Sequence, residues 1–379
     1  MAFIMDFRRQ WVRRIIGLFL LAGLVWTGPL LGVIFSGQSP GPYLEMPAST
    51  LMGDDPDFSW YAFGGVLLFV IVTTWPFWRR LPRERWSPAT VENAPHFPWW
   101  GWLGLAGLAG CWILAWTRFT WFEPLQRFTF FPLWFCFIVF LNAVAFRLSG
   151  KSLMTHRTRY FVWLFPVSAI FWWVFEYLNR FVHNWYYTGL GEIGPIQYFS
   201  EATLAFSTVL PAVMSVRFLL LRMPVFSRAY TDFPAMPWLI PVRFWIVMGL
   251  AGWLGLIGTG GMPEWSYPLV WIAPGLLWIA YERWSGYINP MLDDLSRGDW
   301  TLLWASAVSA LVCGFFWEMW NFYSEAQWIY NIPGVERFYL FKMPIPGYAG
   351  YLPFGVICAL ISDYLFVEPG QRELDFDAG

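Results

Sequence analysis

Two acid–amide elements stand inside otherwise apolar stretches of the chain: Phe175-Glu176-Tyr177-Leu178-Asn179 and Trp317-Glu318-Met319-Trp320-Asn321. They lie 142 positions apart. Each Glu is followed three residues later by Asn, then by an aromatic loop, Trp185-Tyr186-Tyr187 in the first case and Trp328-Ile329-Tyr330 in the second. Each also has a Pro 35 residues further on, in the steps Leu210-Pro211 and Leu352-Pro353. A carboxylate is costly in hydrocarbon, so one kept there usually has a partner or a job. An acid–amide pair kept twice in one register points to two halves of a single site.

On a helix, residues three and seven apart share a face. Glu176, Asn179 and His183 then line one face, and Glu318, Asn321 and Glu325 the other. One chemistry open to such faces is acid–base work on a lipid or isoprenoid. Glu176 and Glu318 would donate or accept protons and Asn179 and Asn321 would orient them. The rings of Trp185, Tyr187, Trp328 and Tyr330, with His183 and Glu325, would contact the ligand. A second is transport of a small solute through repeats arranged about a shared axis. A third is a metal site from Glu176, His183, Glu318 and Glu325, but the Glu-x-x-His spacing of carboxylate-bridged bundles is absent, Asn standing in that place, and no metal is expected. The bland alternative is an interfacial Glu reaching water within an ordinary aromatic belt, in a non-catalytic scaffold subunit. No P-loop, dinucleotide fingerprint, GxSxG or HExxH occurs, so no cofactor is expected.

The elements that must position these residues are membrane helices. Hydrophobic residues make up 58% of the 379-residue chain and charged residues 13%, about half the charge of an ordinary soluble domain. Apolar stretches of membrane-crossing length recur at 15–35, 58–78, 98–117, 128–147, 160–181, 200–221, 238–258, 266–284, 301–322 and 349–367. Ten crossings put both termini on one side. That side holds most basic residues, among them Arg8, Arg9, Arg13, Arg14, Arg79, Arg80, Arg147, Lys151, Arg222 and Arg228. The opposite side holds only Arg118, Arg127, Arg180, Arg337 and Lys342. This bias marks the crowded side as cytoplasmic and the protein as one of a bacterial inner membrane. The basic residues serve topology, which excludes nucleic acid as a partner. The apolar run after Arg14 is too long for a signal-peptide core and reads as a retained helix. The four cysteines lie within spans and read as packing residues.

The offset of 142 extends beyond the acids: Gly107-Leu108-Ala109-Gly110 matches Gly249-Leu250-Ala251-Gly252, and Pro132 matches Pro274. The expected organisation is therefore two helices outside the repeat (1–97), four-helix units at 98–237 and 238–367, and a short acidic tail (368–379). Four crossings per unit make the repeats parallel, with an axis along the membrane normal. Pro132, Pro211, Pro274 and Pro353 are expected to kink their helices and free carbonyls that the protein must satisfy. Glu282 and Asp363 read as interfacial. Asn289-Pro290-Met291-Leu292-Asp293-Asp294 reads as a turn or helix start.

The stretch from Phe316 to Asn321, with Trp328, Tyr330, Pro333, Lys342-Met343-Pro344 and Gly347-Tyr348-Ala349-Gly350-Tyr351, resembles a signature of polytopic bacterial membrane proteins. That resemblance implies a family and brings no activity with it. A looser likeness, in architecture alone, is to membrane-embedded carotenoid cyclases, whose acidic motif is not reproduced. The expectation is an all-α polytopic membrane protein with a site near the extracytoplasmic surface that binds, and acts by acid–base chemistry on, a membrane lipid or isoprenoid.

Overall fold

A computed structural model describes residues 2–45, 58–81 and 95–366. The acidic loop with Asp54, Asp55 and Asp57 and the tail 368–379 lie outside the described residues. The chain is an all-α, multi-pass membrane protein. Its longer helices are α1 (Ala2–Phe35), α2 (Trp60–Trp78), α3 (Trp99–Trp116), α4 (Phe130–Ser149), α5 (Thr158–Val182) and α6 (Pro195–Phe206). They continue with α7 (Val209–Leu220), α8 (Val242–Gly261), α9 (Ala273–Trp284), α10 (Thr301–Asn321) and α11 (Tyr351–Phe366). Among the described residues, eight segments are long and apolar enough to cross a membrane, with α6 and α7 together forming one of them. The remaining two expected crossings are helical as well. α3 has 18 residues, about 27 Å of helix. α9 has only 12 and is entered through a 3₁₀ turn, Tyr267–Trp271.

α7 and α10 are buried along most of their length, and α10 packs on both α7 and α11. α3 lies on α4, and α8 on α9 and α1. Glycines let these helices approach. A Cβ at Gly104 would sit 3.0 Å from the backbone N of Phe140, and one at Gly32 of α1 would overlap the Ile257 carbonyl. The Tyr177 hydroxyl donates to the Trp26 carbonyl while the two rings stack at 4.1 Å, fastening α1 to α5.

The four prolines expected to kink their spans stand at helix starts instead. Pro132, Pro211, Pro274 and Pro353 all fall in the first turn of α4, α7, α9 and α11, where the N–H that proline lacks has no intrahelical partner to lose. The expected single span 200–221 is instead broken between α6 and α7. The Ser168 hydroxyl mends the break, donating to the Phe206 carbonyl at 2.6 Å and accepting from the Leu210 N–H at 3.0 Å. Asn289 starts a short helix, Pro290–Arg297, its side chain accepting from the Met291 N–H.

Glu282 and Asp363 are not interfacial: they are 0% and 3% exposed. Asp363 of α11 takes a bidentate pair of bonds, 2.8 and 3.0 Å, from Arg217 of α7, itself fully buried. Glu282 accepts from Trp278 Nε1 at 2.9 Å and from Asn289 at 3.3 Å. The hydropathy of short sequence windows cannot register this, because the partners come from other helices. Breaking a buried ion pair strands a charge, whereas replacing both members removes it. Arg217→Met should therefore lower stability by about 3–5 kcal/mol, and Arg217→Met with Asp363→Leu should recover most of that loss, read from unfolding in detergent.

Candidate functional site

The two acid–amide elements are built alike. α5 ends at Val182, and His183 follows in the left-handed conformation (φ 50°), its N–H closing on the Asn179 carbonyl at 2.7 Å. The chain then enters a strand, β1 (Trp185–Thr188). The Asn179 amide reads both polar backbone groups of Trp185, donating to its carbonyl at 2.7 Å and accepting from its N–H at 3.3 Å. After α10, Asn321 does the same for Trp328, at 2.8 and 2.9 Å, at the head of β2 (Gln327–Tyr330). Asp in either place would lose the donor.

Fixing that Trp backbone aims the ring back at the acid. Glu176 Oε1 accepts from Trp185 Nε1 at 3.0 Å, Tyr187 OH at 2.6 Å and Trp172 Nε1 at 3.0 Å. Glu318 Oε1 accepts from Tyr330 OH at 2.6 Å, Tyr351 OH at 2.6 Å and Trp328 Nε1 at 3.4 Å. The carboxylates are 8% and 0% exposed. Desolvating such a group costs several kcal/mol, and each hydrogen bond to a charge returns about 1.5–3 kcal/mol, so three donors per acid are of the size required. Glu318 Oε2 has no partner among the described residues.

β1 and β2 pair antiparallel, Trp185 opposite Tyr330, Tyr186 opposite Ile329 and Tyr187 opposite Trp328. Two of the four pairs, Trp185–Tyr330 and Tyr187–Trp328, thus join a donor to Glu176 with a donor to Glu318, and the two acids are tied to one ribbon.

Beneath the ribbon lies a cavity of about 1170 Å³. The donor rings Trp172, Trp185, Tyr187, Trp328, Tyr330 and Tyr351 line it; Glu176, Glu318, Asn179 and Asn321 stand behind them and do not. Val66, Phe69, Val70 and Thr73 of α2 form one wall at helical spacing. Other lining residues, Phe128, Leu204 and Ile272, are also exposed at the protein surface, so the cavity is not sealed, and Leu204 belongs to a segment of membrane-crossing length.

The structure leaves two predicted ligand contacts apart from this chamber. His183 serves as a helix cap, and Glu325 pairs with Arg118 at 3.5 Å, 42% exposed; neither lines the cavity. Among the described residues no three His, Cys, Asp or Glu side chains gather, so Glu176, His183, Glu318 and Glu325 do not form one ligand set.

Trp172 and Tyr351 are the donors that sequence reading missed. Trp172 stands one turn before Glu176, on its own helix face, and that spacing is a usable signal. Tyr351 carries none, because its partner lies 33 residues away on another helix. At the 142-residue offset, Trp172 corresponds to Gly314 and Tyr351 to Val209. The two positions exchange roles: a Cβ on Gly314 would run into the Tyr351 ring, so the missing indole on α10 makes room for a phenol from α11.

Comparison of the chain with protein-family models, with curated proteins and with solved structures finds no match. The site rests on its own geometry.

Gly314→Trp alone should cost about 1–3 kcal/mol through overpacking. Adding Tyr351→Val recreates the arrangement around Glu176 and should recover more than half of that loss, measured by unfolding of the single and double variants. A second expectation concerns alkaline pH. The phenols of Tyr187 and Tyr330 are pushed well above the ordinary range, by burial first and by the neighbouring carboxylate next. Their contribution to stability is whole below the free-tyrosine value of about 10 and is lost as pH rises towards the folded-state values. Tyr187→Phe with Tyr330→Phe should lower stability at neutral pH by about 2–5 kcal/mol. The same pair should flatten the decline on the alkaline side, followed as thermal midpoint against pH.

Proposed function

We propose that the chain is a bacterial inner-membrane protein that binds the apolar body of a lipid or isoprenoid in the chamber beneath the β1–β2 ribbon, on the periplasmic side. In this reading both termini are cytoplasmic, and units 98–237 and 238–367 are parallel copies about an axis along the membrane normal. Support for the copies comes from the matching acid cages and from the ribbon, whose two middle pairs, Tyr186–Ile329 and Tyr187–Trp328, stand 143 and 141 residues apart, either side of the repeat offset. Two copies related by such an axis present equivalent strands to each other in antiparallel pairing. Support for the sidedness comes from the basic residues, which crowd the loops opposite the ribbon.

The observation that carries the reading is the chamber itself. It is lined almost wholly by apolar and aromatic side chains, exceeds the roughly 300–1,000 Å³ of pockets for drug-sized ligands, and is not sealed from the protein surface. Glu176, Glu318, Asn179 and Asn321 act as positioning residues that hold the aromatic wall. Any proton exchanged with the ligand passes through Tyr187, Tyr330 or Tyr351, chamber-lining residues whose hydroxyls lie 2.6 Å from a carboxylate. Ring faces on this wall suit unsaturated or cationic portions of such a ligand.

Filling the chamber tests the reading. Ala202 lines it from α6. Ala202→Trp should cut co-purifying lipid, quantified by mass spectrometry against protein, by about tenfold, the equivalent of about 1.4 kcal/mol, while the thermal midpoint stays near the parent value. Equal lipid in the two proteins, or none in the parent, would sink it.

A further inference from the structure

We infer that the chamber holds its ligand in one orientation, with the head of a zwitterionic phospholipid at Arg127 and Glu201. This rests on the lipid-binding reading and adds to it the class of head group. The chamber is unequal at its two ends. Among the described residues its only formally charged lining residues are Arg127 and Glu201, and they sit in one corner, joined by an Arg127 Nη2 to Glu201 Oε1 bond of 3.1 Å. The side chains remain 26% and 24% exposed, so the pair faces open space rather than packed protein. The corresponding stretches of the other half, Tyr267–Trp271 and Met343–Gly350, carry no charged residue.

The polar atoms in this corner are not used up. Arg127 sends Nη1 to the Leu190 carbonyl at 3.3 Å, but its Nε–H has no partner among the described residues. Glu201 Oε1 accepts from Gln197 at 2.8 Å as well as from Arg127. One cation and one anion therefore stand side by side, each partly exposed on the chamber wall. A ligand that offers both signs of charge meets both members of this pair, whereas one of a single sign meets one and opposes the other. A head group with an acidic phosphate and an ammonium group does so: phosphate oxygens to Arg127, ammonium hydrogens to Glu201. A purely anionic head brings its charge against Glu201 without an N–H to offer. A diglyceride satisfies neither ion. With the head fixed there, the acyl chains run into the uncharged end, beneath Trp271 and Tyr351.

The test is native mass spectrometry of the full-length protein in detergent, titrated with phosphatidylethanolamine, phosphatidylglycerol and diacylglycerol of matched chains. The expected result is binding of phosphatidylethanolamine about tenfold tighter than either of the others. Arg127→Leu with Glu201→Met should still bind, with that preference reduced to about twofold or less. Glu201→Gln alone keeps the shape of the corner while removing its negative charge, and should shift preference towards phosphatidylglycerol. Equal binding of all three lipids by the parent, or a preference that survives the double substitution, overturns the head-group assignment and leaves the chamber a general apolar site. A parent protein that binds none of them overturns the underlying lipid-binding reading instead.

Discussion

A desolvated carboxylate must be surrounded by donors, and that requirement organises this molecule. Each acid gathers an indole and a phenol from the strand that follows its own helix. It takes a third donor from one turn back, or from another helix. The neighbouring Asn supplies the precondition by holding the Trp backbone at a fixed distance from the helix end. A hydrophobic contact in the same place would tolerate sliding; three convergent hydrogen bonds on one oxygen do not. The rings that wall the chamber are held from behind by charge, and this lets a largely apolar surface keep a defined shape.

The two cages reach the same end by different chemistry. Around Glu176 the third donor is Trp172, an indole on the same helix; around Glu318 it is Tyr351, a phenol arriving from α11 into the space over Gly314. The number of donors is kept while their sources change. The requirement is therefore for satisfied charge and filled volume rather than for a particular side chain.

Much of this could be read from the chain. Glu176 and Glu318 announced themselves by being acids in apolar stretches, and their Asn and aromatic companions by keeping register. The helical class followed from hydropathy. Features that depend on distant partners could not be read. The short strands are too brief and too aromatic to separate from a loop until each finds the other. The prolines sat where helices begin, but an apolar run continues across the break between α6 and α7, and only Ser168 on another helix shows how the break is tolerated. The depth of Glu282 and Asp363 was hidden for the same reason, since a window of sequence contains no information about Arg217. α2 gave no sign of being a chamber wall, because a lipid-facing side and a cavity-facing side are equally apolar.

The ribbon has a mechanical corollary. Two of its four pairs are mixed, a ring committed to one acid lying opposite a ring committed to the other. Peeling the strands apart at either of these pairs would therefore loosen both cages in a single movement. The roof works as one shutter with two latches that release together, so the chamber has no economical way of standing half ajar.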